Sequence, residues 1–122
     1  MSFYDVLRRF QLLSGLEGED LSRWSELCRE ASDEVRAMLK VSEKSLTEAQ
    51  TLRLAYTAGA LAFYKYSLFT SATSPQSFDA GEVRVTMGDS AVTGAKALFE
   101  QECRALSAVL SDTSFYFGRV KA

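Results

Sequence analysis

Apolar residues recur at every third or fourth position in four long stretches of the chain, which is the spacing of amphipathic helices. The first predicted helix covers residues 2–13, and the second covers residues 20–40. The third covers residues 45–69, and the fourth covers residues 90–110. The pattern therefore predicts a mainly α fold, a small domain built from four helices.

Two short stretches show a different period. Val83, Val85 and Met87 alternate with polar residues within 82–87, and the chain ends with an aromatic run at 115–120. Alternation of this kind is typical of half-buried strands, so we expect a minor β element of two short strands. Because a lone strand exposes unpaired backbone groups, these strands need each other or a neighbouring subunit. This requirement favours a protein that assembles with other chains.

The third predicted helix is unusual in its apolar content. Ser45 and Glu48 fit a capping box at its start. Its second half, residues 54–69, is apolar nearly all round, so part of it is expected to meet another subunit. It contains a patch of small residues that would allow close backbone approach, and the patch could be covered either by another subunit or by this chain: Ala58, Gly59, Ala60 and Ala62.

Length and charge narrow the possible classes of protein. A chain of 122 residues fits one domain, 1–122. The net charge is -2, so no overall basic charge attracts DNA or anionic lipid. The most apolar run, residues 54–64, is about half the roughly 20 residues that a membrane helix needs. Cys28 and Cys103 lie on apolar helix stripes and are expected to be free buried thiols, and no signal peptide is recognised.

The chain offers no set of residues typical of catalysis. It contains no histidine, which removes Ser-His-Asp and Cys-His arrangements, and its two cysteines have no zinc-site spacing. The stretch from Gly88 to Lys96 resembles a phosphate-binding loop, but five residues separate its glycines and Ala97 replaces the hydroxyl that holds magnesium. We therefore expect no enzymatic activity, no cofactor, no metal and no small-molecule substrate.

The order of parts resembles that of the small head-to-tail connector proteins of tailed bacteriophages and prophages. A short helix and two longer ones are followed by a polar loop, the segment Phe-x-Ala-Gly-x-Val-x-Val, a last helix and an aromatic end. The aromatic third helix also matches. The residues that carry the resemblance are Phe78, Ala80, Gly81, Val83 and Val85, the final Phe115, Tyr116 and Phe117, and Tyr56, Phe63, Tyr64 and Tyr66.

This resemblance implies a structural protein that forms a ring between the portal and the tail, in the virion or the bacterial host cytoplasm. Its partners would be other copies of itself, the portal and tail-side proteins, with DNA only passing through the channel and no membrane contact. The alternative is a small cytoplasmic regulator or adaptor that binds a protein partner through the third helix. The candidate assembly interface consists of Ala58, Gly59, Ala62, Phe78, Gly81, Val83 and Val85.

Overall fold

Five helices make up most of the described chain, and the predicted mainly α fold is confirmed. The computed structural model describes residues 1–73 and 82–111. A short 3-10 turn, Glu43–Ser45, precedes the longest helix. The helices are α1 (Phe3–Ser14), α2 (Gly18–Arg23), α3 (Ser25–Ala37), α4 (Glu48–Thr73) and α5 (Glu82–Ala105).

Helix α4 lies at the centre, and α1, α3 and α5 all pack against it. Its middle segment, residues 54–62, is almost entirely inaccessible to solvent. The largest fully buried apolar side chains come from all four of these helices and from the turn after α5: Val6, Phe10, Val35, Leu54, Leu61, Phe99 and Leu110. The expectation that one helix of a small domain cannot be covered on all sides by its neighbours was made for residues 54–69. It is wrong for residues 54–62, which the chain itself covers, whereas Leu68 and Phe69 are exposed.

The second predicted helix, residues 20–40, is divided in the structure. The helical geometry is interrupted at Trp24, which separates α2 from α3. The indole packs edge-on against Tyr66 and Phe69 of α4, with ring centroids 5.0 and 5.2 Å apart. Periodicity continues across the break, so sequence pattern alone does not reveal it. The break accompanies a tertiary contact, which overrides the local preference for a continuous helix.

The predicted strand at 82–87 is wrong, because this segment forms the first turns of α5. A strand without a neighbour leaves its backbone donors and acceptors unpaired, whereas a helix satisfies them within itself. Among residues 1–73 and 82–111 no second strand is available to pair with this segment. An alternation of only three apolar residues is too short to decide between the two structures. The second predicted strand, 115–120, lies outside the described residues.

The β pairing that the described chain does contain lies elsewhere. Leu39 and Leu110 form an isolated antiparallel bridge. Lys40 N–H donates to Val109 O at 2.8 Å, and Ser111 N–H donates to Met38 O at 2.8 Å. The chain after α3 is thus tied to the chain after α5. These bonds explain why α3 ends at Ala37 and not at residue 40, since the following backbone groups pair across to another segment.

The start of α4 is capped two residues later than expected. Gln50 N–H donates to Thr47 Oγ1 at 3.1 Å, and Thr47 N–H donates to Gln50 Oε1 at 3.0 Å. This reciprocal pair is a capping box. Ser45, the predicted cap, belongs to the 3-10 turn and its hydroxyl donates to Ser42 O. The sequence carries two overlapping capping patterns, Ser45 with Glu48 and Thr47 with Gln50. Because Ser45 belongs to the 3-10 turn, the second pattern caps α4.

Replacing Thr47 tests this cap. Thr47→Ala should lower the free energy of unfolding by about 1 kcal/mol, because an N-terminal donor of α4 loses its partner. Ser45→Ala is the matched control and should change it by less than about 0.5 kcal/mol, as expected for an exposed turn residue. Urea denaturation of both variants measures the difference. A larger loss for Ser45→Ala than for Thr47→Ala would contradict the assignment.

Candidate assembly surface

The small-residue patch of α4 is the place where α1 crosses it. Ala58, Gly59 and Ala62 are all buried. A Cβ atom at Gly59 would lie 2.7 Å from Arg9 Cβ, 2.9 Å from Arg9 Cγ and 3.1 Å from the Val6 carbonyl oxygen. Of the two alternatives left open for this patch, the structure shows the one in which the same chain covers it. These three predicted interface residues are therefore inaccessible to a second subunit in this fold.

The other predicted interface residues lie in or beside the segment between α4 and α5. Phe78 and Gly81 lie outside the described residues. Val83 and Val85 lie in the first turns of α5, so their backbone groups are part of a helix and do not form an open strand edge. Assembly by adding a strand at this edge is consequently not available in this conformation.

A charged cluster joins three helices beside the α1–α4 crossing. Glu102 of α5 is 4% exposed, and its carboxylate lies 3.7 Å from an Arg9 nitrogen and 3.3 Å from an Arg53 nitrogen. The Arg9 guanidinium also lies 4.5 Å from the ring centroid of Tyr56. Arg9 Nε is buried and has no hydrogen-bond partner among the described residues. One carboxylate thus holds α1, α4 and α5 together through two arginines.

The outer side of α1 carries an exposed stripe that sequence analysis missed. Tyr4, Arg8 and Leu12 follow one another at intervals of four residues, and Tyr4 and Leu12 are 63% and 70% exposed. We call these three residues the α1 stripe. Leu52 of α4 lies beside it at 41% exposure. The sequence spacing of Tyr4 and Leu12 could have revealed this stripe, because both lie outside the helix side that Val6 and Phe10 bury.

Shallow grooves flank this stripe on both sides. One of about 290 Å³ lies between α1 and α4 and is lined by Asp5, Arg8, Arg9, Leu12, Leu52 and Tyr56. A second of about 220 Å³ lies along the end of α1 and also contains Arg8 and Leu12. Leu12 therefore stands as a ridge between two depressions. Such relief suits the packing of another helix better than the enclosure of a small ligand.

A second set of aromatic residues lies near the other end of α4. Trp24 contacts Tyr66 and Phe69, and Tyr66 contacts Phe10 with ring centroids 5.8 Å apart. Leu68 next to them is exposed. This cluster anchors α2 and α1 to α4.

The described residues contain no group of three or more Cys, Asp or Glu side chains that could hold a metal ion. Cys28 and Cys103 are free and buried, as predicted. Burial raises the pKa of each thiol to about 12, so both stay protonated and weakly nucleophilic at neutral pH. None of the helices searched in the described chain has the length and apolar character of a membrane span.

Comparison of the chain with known proteins finds no match. No family model, no curated protein and no solved structure matches it.

Two glycine substitutions test the crossing of α1 and α4. Gly59→Ala should lower the free energy of unfolding by roughly 1–3 kcal/mol, because the new methyl group overlaps Arg9 and overpacks the contact. Gly94→Ala is the matched control, since its Cβ would meet nothing within 4 Å in α5. That change should stabilise the protein by about 0.5–1 kcal/mol through helix propensity. Thermal and urea denaturation of both variants measures these changes in the free energy of unfolding. Equal effects of the two substitutions would contradict the close approach of α1 to α4 at Gly59.

Replacing Glu102 tests the charged cluster. Glu102→Gln should cost roughly 1–3 kcal/mol, because two partly buried arginines lose their common anion. The lower part of this range is favoured because the Arg53 side chain is 48% exposed and solvent screens it. Glu26→Gln removes an exposed charge 3.9 Å from Arg29 and should cost less than about 0.5 kcal/mol. Equal unfolding free energies for the two variants would show that the cluster adds no stability.

Proposed function

We propose that this protein is a non-catalytic structural connector of a tailed bacteriophage or prophage, and that it assembles with copies of itself into a ring between the portal and the tail. The observation that carries the proposal is the α1 stripe with Leu52. It combines large apolar side chains, an arginine and a grooved relief on one side of a small helical domain.

The composition of this surface is that of a protein interface. Tyr and Arg are enriched in the centre of protein contacts, and Leu12 adds exposed apolar area beside them. Leu12 projects from the surface with most of its side chain in water. Burying Leu12 and Tyr4 in a contact would remove their apolar surface from water. This burial stabilises the contact by about 25 cal/mol per Å² of apolar surface buried. Repetition of one such contact around a ring multiplies a modest gain per subunit.

Further support comes from the sequence. The resemblance to connector proteins through Phe78 to Val85 and Phe115 to Phe117 agrees with a small mainly helical domain, although Val83 and Val85 lie in α5 and not in the predicted strand. The net charge of -2 suits a channel through which DNA passes without binding. On this proposal the partners are other copies, the portal and tail-side proteins, and the protein is located in the virion or in the host cytoplasm.

The proposal is tested by measuring assembly. Wild-type protein should form closed oligomers, either alone at high concentration or on the portal protein encoded by the same genome, as seen by light scattering and electron microscopy. Leu12→Ser should reduce assembly, because it removes the most exposed apolar side chain of the α1 stripe. Val41→Ser is the matched control: Val41 is also exposed but lies in the loop after α3.

One result would contradict the proposed function, and a second would contradict only the surface assigned to it. If wild type remains monomeric under both conditions, it is not a connector, and an adaptor that binds another protein is then the better interpretation. If Val41→Ser weakens assembly as much as Leu12→Ser, the connector function stands but this surface does not carry it.

A further inference from the structure

The outer side of α1 carries one acid and one base that have no ion-pair partner among the described residues. Asp5 and Arg8 lie three residues apart on α1 and line the same groove, so they share one side of the helix. No ion pair within residues 1–73 and 82–111 includes either of them. The Arg8 guanidinium lies 5.8 Å from the ring centroid of Tyr4. This side of α1 therefore keeps one unpaired charge of each sign.

The neighbouring arginine does not neutralise Asp5. Arg9 turns inward, where its guanidinium lies 3.7 Å from the Glu102 carboxylate and 4.5 Å from the ring centroid of Tyr56. Arg8 in contrast is exposed, and its planar group can donate to a carboxylate in a forked geometry. The two charges left on the outer side of α1 are thus available to a partner that presents the opposite pair.

A second copy of α1 presents that opposite pair when it runs antiparallel to the first. With a two-fold axis at the level of residue 7, Arg8 of one copy lies at the level of residue 6 of the other. At 1.5 Å of rise per residue, this is about 1.5 Å along the helix axis from Asp5 of the other copy. The symmetry repeats the contact, so two Asp5–Arg8 pairs form at once.

The same register brings the apolar side chains of the surface together. Tyr4 of one copy lies at the level of residue 10 of the other, which is about 3 Å along the axis from Leu12. Tyr4 and Leu12 are the two most exposed large apolar side chains of the described chain, and each would cover the other at both ends of the contact. A parallel pair of α1 helices would instead place Arg8 beside Arg8 and Asp5 beside Asp5, which like-charge repulsion disfavours.

We propose that the free protein is a two-fold dimer through the outer side of α1, and that this dimer keeps the ring contact covered until the protein meets the portal. The second part rests on the proposed function. A two-fold contact uses the same surface of both copies, so it closes at two subunits and leaves none of that surface free. In a cyclic ring the α1 stripe must instead contact a different surface of the next copy. The dimer and the ring therefore compete for the same residues.

A weak dimer is what this role requires. Each copy contributes the outer side of one 12-residue helix, with Leu52 beside it. Such a contact belongs with the small interfaces that bury less than about 1,200 Å². Its ion pairs are partly exposed, so salt screens them and they stabilise the contact little. Dissociation at the portal is therefore not opposed by a large or tightly packed interface.

Charge reversal tests the pairing of Asp5 with Arg8. Asp5→Arg and Arg8→Asp should each weaken the dimer about tenfold, because both ion pairs become repulsions. An equimolar mixture of the two variants should form a heterodimer at least as tight as wild type, because one copy then carries only positive charges at the two positions and the other only negative ones. Sedimentation velocity measures the dissociation constants, and a thermal melt of each variant checks that it is folded.

Reversal of another carboxylate near Arg8 is the control. Glu17 is exposed and lines the second groove together with Arg8. Glu17→Arg should change the dissociation constant less than about twofold, because Glu17 does not face Arg8 in the proposed register. A loss as large as that of Asp5→Arg would overturn the pairing. The same conclusion follows if both single variants dimerise as wild type does, or if their mixture stays dissociated.

Disulfide trapping tests the antiparallel register. Tyr4→Cys mixed with Leu12→Cys should yield a cross-linked dimer under mild oxidation, while neither variant alone should. The native cysteines give a clean background because both thiols are buried and protonated, and wild type should give no cross-link. A dimer in Tyr4→Cys alone that equals the dimer of the mixture would overturn the antiparallel register.

Ring formation on the portal protein tests the competition and separates this inference from the proposed function. Asp5→Arg should join rings several times faster than wild type, because less of it is held in the dimer. If it joins no faster while its dimer is weakened, the dimer does not cover the ring contact. If wild type stays monomeric alone up to about 1 mM, where even a contact of about 4 kcal/mol would be half formed, yet forms rings on the portal, the dimer is wrong and the connector function stands. If wild type dimerises with the expected charge pattern but forms no ring on the portal, the dimer stands and the connector function fails.

Discussion

The close approach of α1 and α4 at Gly59 is the contact on which the rest of the structure depends. Because Gly59 has no side chain, Arg9 Cβ and the Val6 carbonyl can lie against the α4 backbone. That approach places the Arg9 guanidinium within reach of Glu102 on α5. The small residues Ala58, Gly59, Ala60 and Ala62 let three helices surround one, which a helix of large side chains would prevent at these distances. The charged cluster then links α1 and α5 to each other and to α4.

Burial of the α4 centre moves the candidate assembly surface from α4 to α1. The apolar surplus in the middle of α4, residues 54–62, is used inside the protomer, so it cannot serve as an interface as well. Exposed apolar side chains remain near the end of α4, at Leu68 and Phe69, and in the α1 stripe with Leu52, where a cation stands among apolar side chains. The surface proposed for assembly is therefore one that the fold leaves uncovered after its own core is complete.

Backbone hydrogen bonding explains the largest departure from the predicted elements. Residues 82–87 have β-prone residues but no partner strand within the described chain, and they join α5 instead. The segment after α3 lacks any strand signal, yet it pairs with the segment after α5 through Leu39 and Leu110. Local propensity selects between structures only when the surrounding chain offers equal hydrogen bonding to both.

The sequence by itself determined the helical class, the approximate helix positions and the burial of both thiols, because these follow from the period of apolar residues along the chain. Tertiary structure alone decided the break at Trp24, the choice of Thr47 over Ser45 as cap, the helix at 82–87 and the covering of Gly59. Each of these depends on which distant group a residue meets, such as Tyr66 for Trp24 or Arg9 for Gly59, and periodicity carries no information about distant partners.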